Sequence, residues 1–166
     1  MKFQKDIKLI LSNTLLNEMG ICIDNAYPNE ACGLVFGQRT QVKNPEDPED
    51  YFYDFIGEKF ECIESDKKSA ISFLIENLEK LNQIYQEAHE KYNMKLVSIF
   101  HSHPSGNHPS GVDKENMTRL QKSGLKSFQF IIWTIMDGET KDLNGFMILN
   151  DEIVQIEVII KNSKEK

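Results

Sequence analysis

At 166 residues the chain has the length of one ordinary domain and can bury a sizeable core. Its 40% hydrophobic and 27% charged residues exclude a disordered or fibrous chain. With 19 Lys and Arg against 26 Asp and Glu, the net charge of −7 disfavours a nucleic-acid partner unless one face is locally basic. No run approaches the roughly 18 apolar residues of a membrane span. Met1 to Asp6 leads into no sustained apolar run of the signal-peptide kind, so the expected location is cytoplasmic. Cys22, Cys32 and Cys62 are odd in number, widely spaced and lack a CxxC pair. They are therefore expected to be reduced, mostly buried thiols.

Along the chain, Ser12 is placed to cap a helix over 12–26, with Leu15, Leu16, Met19, Ile23 and Ala26 on one face and Pro28 as the stop. Cys32 to Phe36, between Gly33 and Gly37, reads as a buried strand. Gln38 to Glu49 is polar, contains Pro45 and Pro48, and is expected to be a surface loop. The alternating aromatic and polar residues of Tyr51 to Ile63 predict one or two strands. Asp66 to Tyr92 is the longest predicted helix, with Ala70, Leu74, Leu78, Leu81, Tyr85 and Ala88 as its apolar stripe and His89 on the polar side. Leu96 to Phe100 form a strand leading into His101. A Gly/Pro-rich loop over 104–111 precedes a short helix from Ser110 through Met117 and Leu120, ended by Gly124. Strands are predicted over Phe128–Ile135, Gly145–Leu149 and Ile153–Ile160, with turns at Asp137-Gly138 and Asn150-Asp151, and a charged fray from Asn162 to Lys166. With no repeat or linker, residues 1–166 read as one α/β or α+β domain, a mixed sheet flanked by helices.

The chemistry concentrates in His101-Ser102-His103-Pro104. Residues two apart in a strand share a face, so both imidazoles project together and offer two zinc ligands. Asp113, just beyond the Gly/Pro-rich loop, is a candidate third ligand, leaving a fourth position for water, whose pKa zinc lowers towards about 7. A hydrolase also needs a base and an oxyanion donor. Glu30, between a helix end and a buried strand, is a candidate base. Ser110 is a candidate oxyanion donor. Each residue has a plainer reading. Histidines at a strand end are usually surface residues, and an acid before a strand is usually solvated. Ser110-Gly111-Val112-Asp113 also fits a helix N-cap with an acid at the third helical position, which is compatible with ligation. His108 is a rival third ligand in a three-histidine site, or else a solvated loop residue.

Pro28-Asn29-Glu30-Ala31-Cys32-Gly33-Leu34-Val35-Phe36-Gly37 resembles the opening segment of the JAMM (MPN+) metallopeptidase domain. About 70 residues later, His101-Ser102-His103-Pro104 followed by Ser110-Gly111-Val112-Asp113 resembles that family's zinc motif. The resemblance implies an MPN-like domain of cytidine-deaminase-like architecture. It also implies one Zn2+ held by His101, His103 and Asp113, with Glu30 as general acid/base and Ser110 as oxyanion stabiliser. The implied activity is hydrolysis of a peptide or isopeptide bond at the C-terminus of ubiquitin or of a ubiquitin-like or sulfur-carrier protein. One departure is visible: nine residues, Pro104 to Val112, separate the second His from the Asp, where the family usually has ten.

Three other readings stand beside this one. A catalytically silent scaffold of the same fold would typically lack the His-His-Asp set. A domain similar to the DNA-repair-associated branch is suggested by His103-Pro104-Ser105-Gly106 and disfavoured by the net charge. A zinc hydrolase acting on a small molecule would use His108. The expected partner is a ubiquitin-like substrate whose extended tail adds as a strand beside the site, with selectivity in 38–49 and after Gly138. No nucleic acid or membrane is expected, and a second copy of the chain is a further candidate partner.

Overall fold

The computed structural model describes residues 4–64, 72, 76–125 and 128–162. A 3-10 turn, Gln4–Asp6, leads into β1 (Ile7–Ser12), and α1 (Asn13–Ala26) follows directly. Then come β2 (Cys32–Asn44), β3 (Asp47–Ile63), α2 (Leu78–Tyr92), β4 (Lys95–His103), α3 (Gly111–Lys122), β5 (Ile132–Asp137), β6 (Leu143–Leu149) and β7 (Glu152–Lys161). The strands form one mixed sheet in the order β1-β3-β2-β4-β5-β6-β7. It closes into a barrel because β7 also pairs in parallel with β1. Helices and strands together make this an α+β fold.

β1 was not anticipated from the sequence. Its six residues, Ile-Lys-Leu-Ile-Leu-Ser, alternate buried and half-buried, so one face points into the core as a half-buried strand requires. Without it the sheet would have two open edges, at β3 and β7. Ser12 then switches the chain from strand to helix, its hydroxyl accepting the Leu15 amide at 3.2 Å.

The predicted loop over 38–49 is instead a long β-hairpin. β2 runs on to Asn44 and β3 starts at Asp47, the two pairing antiparallel from Cys32↔Ile63 to Asn44↔Asp47. Polar composition misled here because an arm extending past the core has no buried face to alternate. Pro48 is tolerated because the register is irregular between Lys43↔Tyr51 and Asn44↔Asp47. Gly37 lies at a second register shift, where an added Cβ would collide with the Ile56 backbone.

Both faces of the sheet are packed. On one, Leu9, Val35, Phe100, Ile132 and Met136 meet Leu15, Met19 and Ile23 of α1. On the other, Leu34, Phe36, Ile99 and Trp133 meet Leu81 and Ala88 of α2 and Met117 and Leu120 of α3. Each fully buried aliphatic or aromatic side chain contributes about 1.5–3 kcal/mol from area burial. α2 ends at Asn93 in the left-handed region, and β4 begins two residues later. The predicted start of that helix near Asp66 lies largely outside the described residues, as does most of the C-terminal fray. Phe128 to Phe130 form a turn, so the strand predicted from Phe128 starts at Ile132. Asn150 and Asp151 both take positive φ, 52° and 64°, joining β6 to β7 by a two-residue turn.

The cysteine expectation is corrected. Packing α1 on β3 brings the Cα atoms of Cys22 and Cys62 to 5.8 Å, and the two form a disulfide across 40 residues of sequence. Sequence distance concealed a spatial neighbour. Closing a loop of that length stabilises by about 4 kcal/mol in the chain-entropy account. Cys32 is free and buried, and burial pushes its thiol up to about 12. Denatured without reductant, the protein should show one reactive thiol by Ellman titration, rising to three after reduction. Three thiols before reduction would contradict the Cys22–Cys62 bond.

Candidate active site

β4 carries the two histidines on a backbone that is held on one side as far as His101 and on the other to its end. β2 pairs with it as far as His101 and β5 as far as His103. His101 is fully buried and His103 half-buried, with ring centroids 5.1 Å apart. The loop over 104–110 then turns back, and α3 delivers Asp113 beneath both rings. Asp113 Oδ2 lies 2.8 Å from His103 Nε2, with which it is hydrogen-bonded, and 3.1 Å from His101 Nε2. The nine-residue spacing is therefore long enough. Asp113 is 3% exposed.

Ser110 caps α3 with a capping box: its hydroxyl accepts the Asp113 amide at 3.1 Å, and its own amide donates to Asp113 Oδ2 at 2.9 Å. The cap thus orients the carboxylate towards the imidazoles. The hydroxyl proton is not consumed by this cap, and Ser110 itself is exposed. Burial alone would raise the pKa of Asp113. The nearby His101 and His103 and the Ser110 amide outweigh it and hold the carboxyl well below the usual range. His103 is raised by its bond to Asp113, against the opposing effect of burial, and further by the charges of Asp113 and Glu30.

The fit to a metal rests on His101. Neither Nδ1 nor Nε2 of this buried ring makes a hydrogen bond; Nε2 is close to Asp113 but not aligned with it. An unsatisfied buried polar group of this kind costs about 1–3 kcal/mol. A cation held between the Nε2 atoms of His101 and His103 and the Asp113 carboxylate would give the His101 Nε2 a partner. One ligand atom from each residue lies within 4.8 Å of the others. Two imidazoles and a carboxylate are the donor set of a zinc site with an open position. His108 is exposed, stacks edge-on against Phe146 at 5.7 Å, and does not join this cluster. His89 is exposed on α2.

Glu30 sits half-buried in the turn between α1 and β2. What fixes this turn is a residue the sequence reading passed over. Ser102, pointing away from the two histidines, accepts the Ala31 amide on its hydroxyl at 2.9 Å, and its own amide donates to the Ala31 carbonyl at 3.0 Å. Glu30 is thereby clamped, through its neighbour, to the strand that holds both histidines. The signal available was alternation: in His-Ser-His the middle residue faces the opposite side. A second support comes from the β5–β6 turn. Gly138 donates its amide to the His103 carbonyl at 2.8 Å, and Asp137 Oδ2 accepts the Gly106 amide at 2.9 Å. A Cβ on Gly138 would stand 2.7 Å from the His103 carbonyl oxygen, so only glycine allows this approach.

Beside His103 opens a groove of about 470 Å³ between the end of α1 (Tyr27, Pro28, Asn29), Ser102 to Pro104, and Gly138, Glu139 and Lys141. The Lys141 ammonium bridges Asp24 at 3.2 Å and the Gly138 carbonyl at 2.8 Å across it.

A closed mixed sheet with helices on both faces, and a buried His-His-Asp cluster at the end of one strand, defines a class of compact domains with a metal-competent site. The chain belongs to the family of prokaryotic homologues of the JAB domain, whose model matches residues 15–148. The JAB/MPN family includes JAMM peptidases as well as inactive members. Among solved structures, a protein from Desulfitobacterium hafniense is similar at 23% identity and TM-score 0.65, over 96% of this chain and 95% of that one. A protein from Salinibacter ruber is similar at 16% identity and TM-score 0.52, over 93% of each. A JAB1/MPN domain protein from Archaeoglobus fulgidus is similar at 17% identity and TM-score 0.47, over 92% of this chain and 98% of that one. These are likenesses of fold. No curated protein matches.

The Ser102 clamp makes a specific demand. Ser102→Ala leaves the buried Ala31 amide without its side-chain partner and should cost about 1–3 kcal/mol in a urea melt. It should leave zinc content unchanged, since no ligand is touched. A change below about 0.5 kcal/mol would show that the clamp does not hold the turn.

Proposed function

We propose that this protein is a zinc-dependent peptidase that hydrolyses a peptide or isopeptide bond at the C-terminal glycine of a ubiquitin-like protein. The observation that carries the reading is the buried His101 ring with neither nitrogen hydrogen-bonded, sharing Asp113 Oδ2 with His103. An inactive member would gain nothing from leaving such a ring unsatisfied. His101, His103 and Asp113 would hold the ion. Zinc, when bound, would supply Lewis acidity to a substrate carbonyl and acidify water.

The remaining chemistry falls to the chain's own residues. Glu30, on the clamped turn close to His103, takes the proton of the attacking water and delivers it to the leaving amine. Its neighbour Asn29 lines the groove, which would set Glu30 near the departing group, a lysine side chain or a following peptide. Ser110 keeps a hydroxyl proton after capping α3 and can donate it to the developing oxyanion. The −7 net charge suits a basic partner surface and opposes nucleic acid, which leaves the DNA-repair-like reading without support. A three-histidine site is likewise unsupported, because His108 points elsewhere.

The fold also bears on how a tail would lie. β4 already has β2 and β5 on its two sides, so no strand can be added next to it. An extended C-terminal tail would cross the groove between Tyr27 and Lys141. Tyr27 is 81% exposed there and offers an apolar surface to a side chain upstream of the glycine. The closing residues of the α1–β2 turn and the β5–β6 turn would then select the partner.

The test is hydrolysis of ubiquitin-like proteins carrying a short peptide after their C-terminal glycine, or joined to lysine through it. The zinc-loaded protein should release the extension. Glu30→Gln should lower the rate by about 10²–10⁴ while elemental analysis finds zinc unchanged. Full activity in Glu30→Gln would remove Glu30 from the role, and a zinc-loaded wild type inert on every such substrate would overturn the peptidase reading.

A further inference from the structure

We infer that Lys141 is a specificity-determining residue of the groove beside His103, where its ammonium takes an acidic side chain of the substrate tail. The inference rests on the reading of that groove as the path of the tail, and adds the chemistry that the tail must carry. Two oxygens hold the ammonium in the groove, the Gly138 carbonyl at 2.8 Å and Asp24 Oδ1 at 3.2 Å. They are not equivalent partners. The carbonyl belongs to the residue whose amide is bonded to the His103 carbonyl, so it is fixed to the strand that carries both histidines. Asp24 is a mobile side chain, 72% exposed against 36% for Lys141.

That difference decides which charge the groove accepts. An exposed ion pair contributes little, because water screens it and two long side chains must be ordered to make it. A carboxylate arriving with the tail can therefore replace Asp24 at the ammonium, and Asp24 returns to water. The Gly138 carbonyl keeps the lysine in place throughout the exchange. A basic side chain would instead have to draw Asp24 away, leaving the less exposed ammonium without its counter-charge. Glu139 also lines the groove, but it is exposed, and water screens its repulsion of an incoming acid.

The backbone at this position supports the same assignment. Lys141 has φ 65°, in the left-handed region that glycine or asparagine adopts at less cost. Its amide closes the β5–β6 turn onto the Asp137 carbonyl at 2.9 Å, which either of those residues would do as well. What lysine adds is an ammonium directed back across the groove to α1. By way of Gly138 that ammonium is at most about 9 Å from the His103 carbonyl oxygen. An extended tail covers this in about three residues, which places the acidic position that far upstream of the part lying at His103.

The probes are short dansyl-labelled peptides ending in glycinamide, with alanine elsewhere and a single Glu or Lys moved along the chain. Their binding to the full-length protein is read by fluorescence anisotropy at low salt. No hydrolysis is needed, so a protein inert as a peptidase would overturn that reading and leave this result to stand or fall separately. At one position the wild type should bind the Glu peptide about fivefold more tightly than the Lys peptide. Lys141→Glu should reverse that order at the same position. Asp24→Asn removes the internal competitor and should tighten binding of the Glu peptide, a gain that a merely structural bridge would not give. Equal binding of Glu and Lys peptides at every position would overturn the proposal. So would a preference that Lys141→Glu leaves unchanged, or weaker binding of the Glu peptide by Asp24→Asn.

Discussion

A buried imidazole with no aligned hydrogen-bond partner, set 3.1 Å from a buried carboxylate, is the constraint around which this site is arranged. His101 lies inside a packed sheet, fully covered, with its Nε2 turned towards the same carboxylate oxygen that His103 engages. Packing alone does not favour such a ring over an aliphatic side chain, since desolvating it costs free energy with no hydrogen bond in return. A cation restores the balance by converting three mutually crowded donors into ligands. The supporting features follow from that need. The capping box of α3 points Asp113 inward, and β4 is flanked by β2 as far as His101 and by β5 to its last residue.

The Glu30 side of the site depends on a different kind of restraint. Glu30 is on a turn, where backbone mobility is ordinarily highest. Here two hydrogen bonds between Ala31 and Ser102 lock that turn to β4, and the Cys22–Cys62 bond anchors the preceding helix to β3. Across the groove, Asp137 and Gly138 hold the loop after His103. Glu30 and the His-His-Asp cluster are thus fixed on one frame, as a catalytic site needing sub-ångström alignment would require.

Much of this was legible in the sequence, and the exceptions have physical reasons. The shared face of His101 and His103 was readable because a period of two is unambiguous in an apolar strand, and the cap at Ser110 because Ser-x-x-Asp has a fixed geometry; Asp113 as their neighbour was expected from the Gly/Pro-rich loop that folds it back and from the family resemblance. The helix at Ser12 and the turn at Asn150-Asp151 carried similarly local signals. What escaped was non-local. β1 is too short to stand out, and its role as the strand closing the barrel depends on β3 and β7, both distant in sequence. The hairpin arm over 38–49 has polar residues on both faces, so nothing in its pattern separates strand from loop. Cys22 and Cys62 became partners only through tertiary packing. Ser102 was hidden in plain view between two more conspicuous residues, its partner Ala31 lying 71 positions away.

The central claim, that these three residues form a zinc site, is tested most directly by elemental mass spectrometry on the wild-type protein beside His101→Ala. One zinc per chain in the wild type, and none in His101→Ala at unchanged folded content by circular dichroism, is the expected result. A wild type that takes up no zinc after reconstitution would contradict it. The orphaned imidazole would then be an unrepaid cost of burial, and the chain would stand with the inactive members of its family.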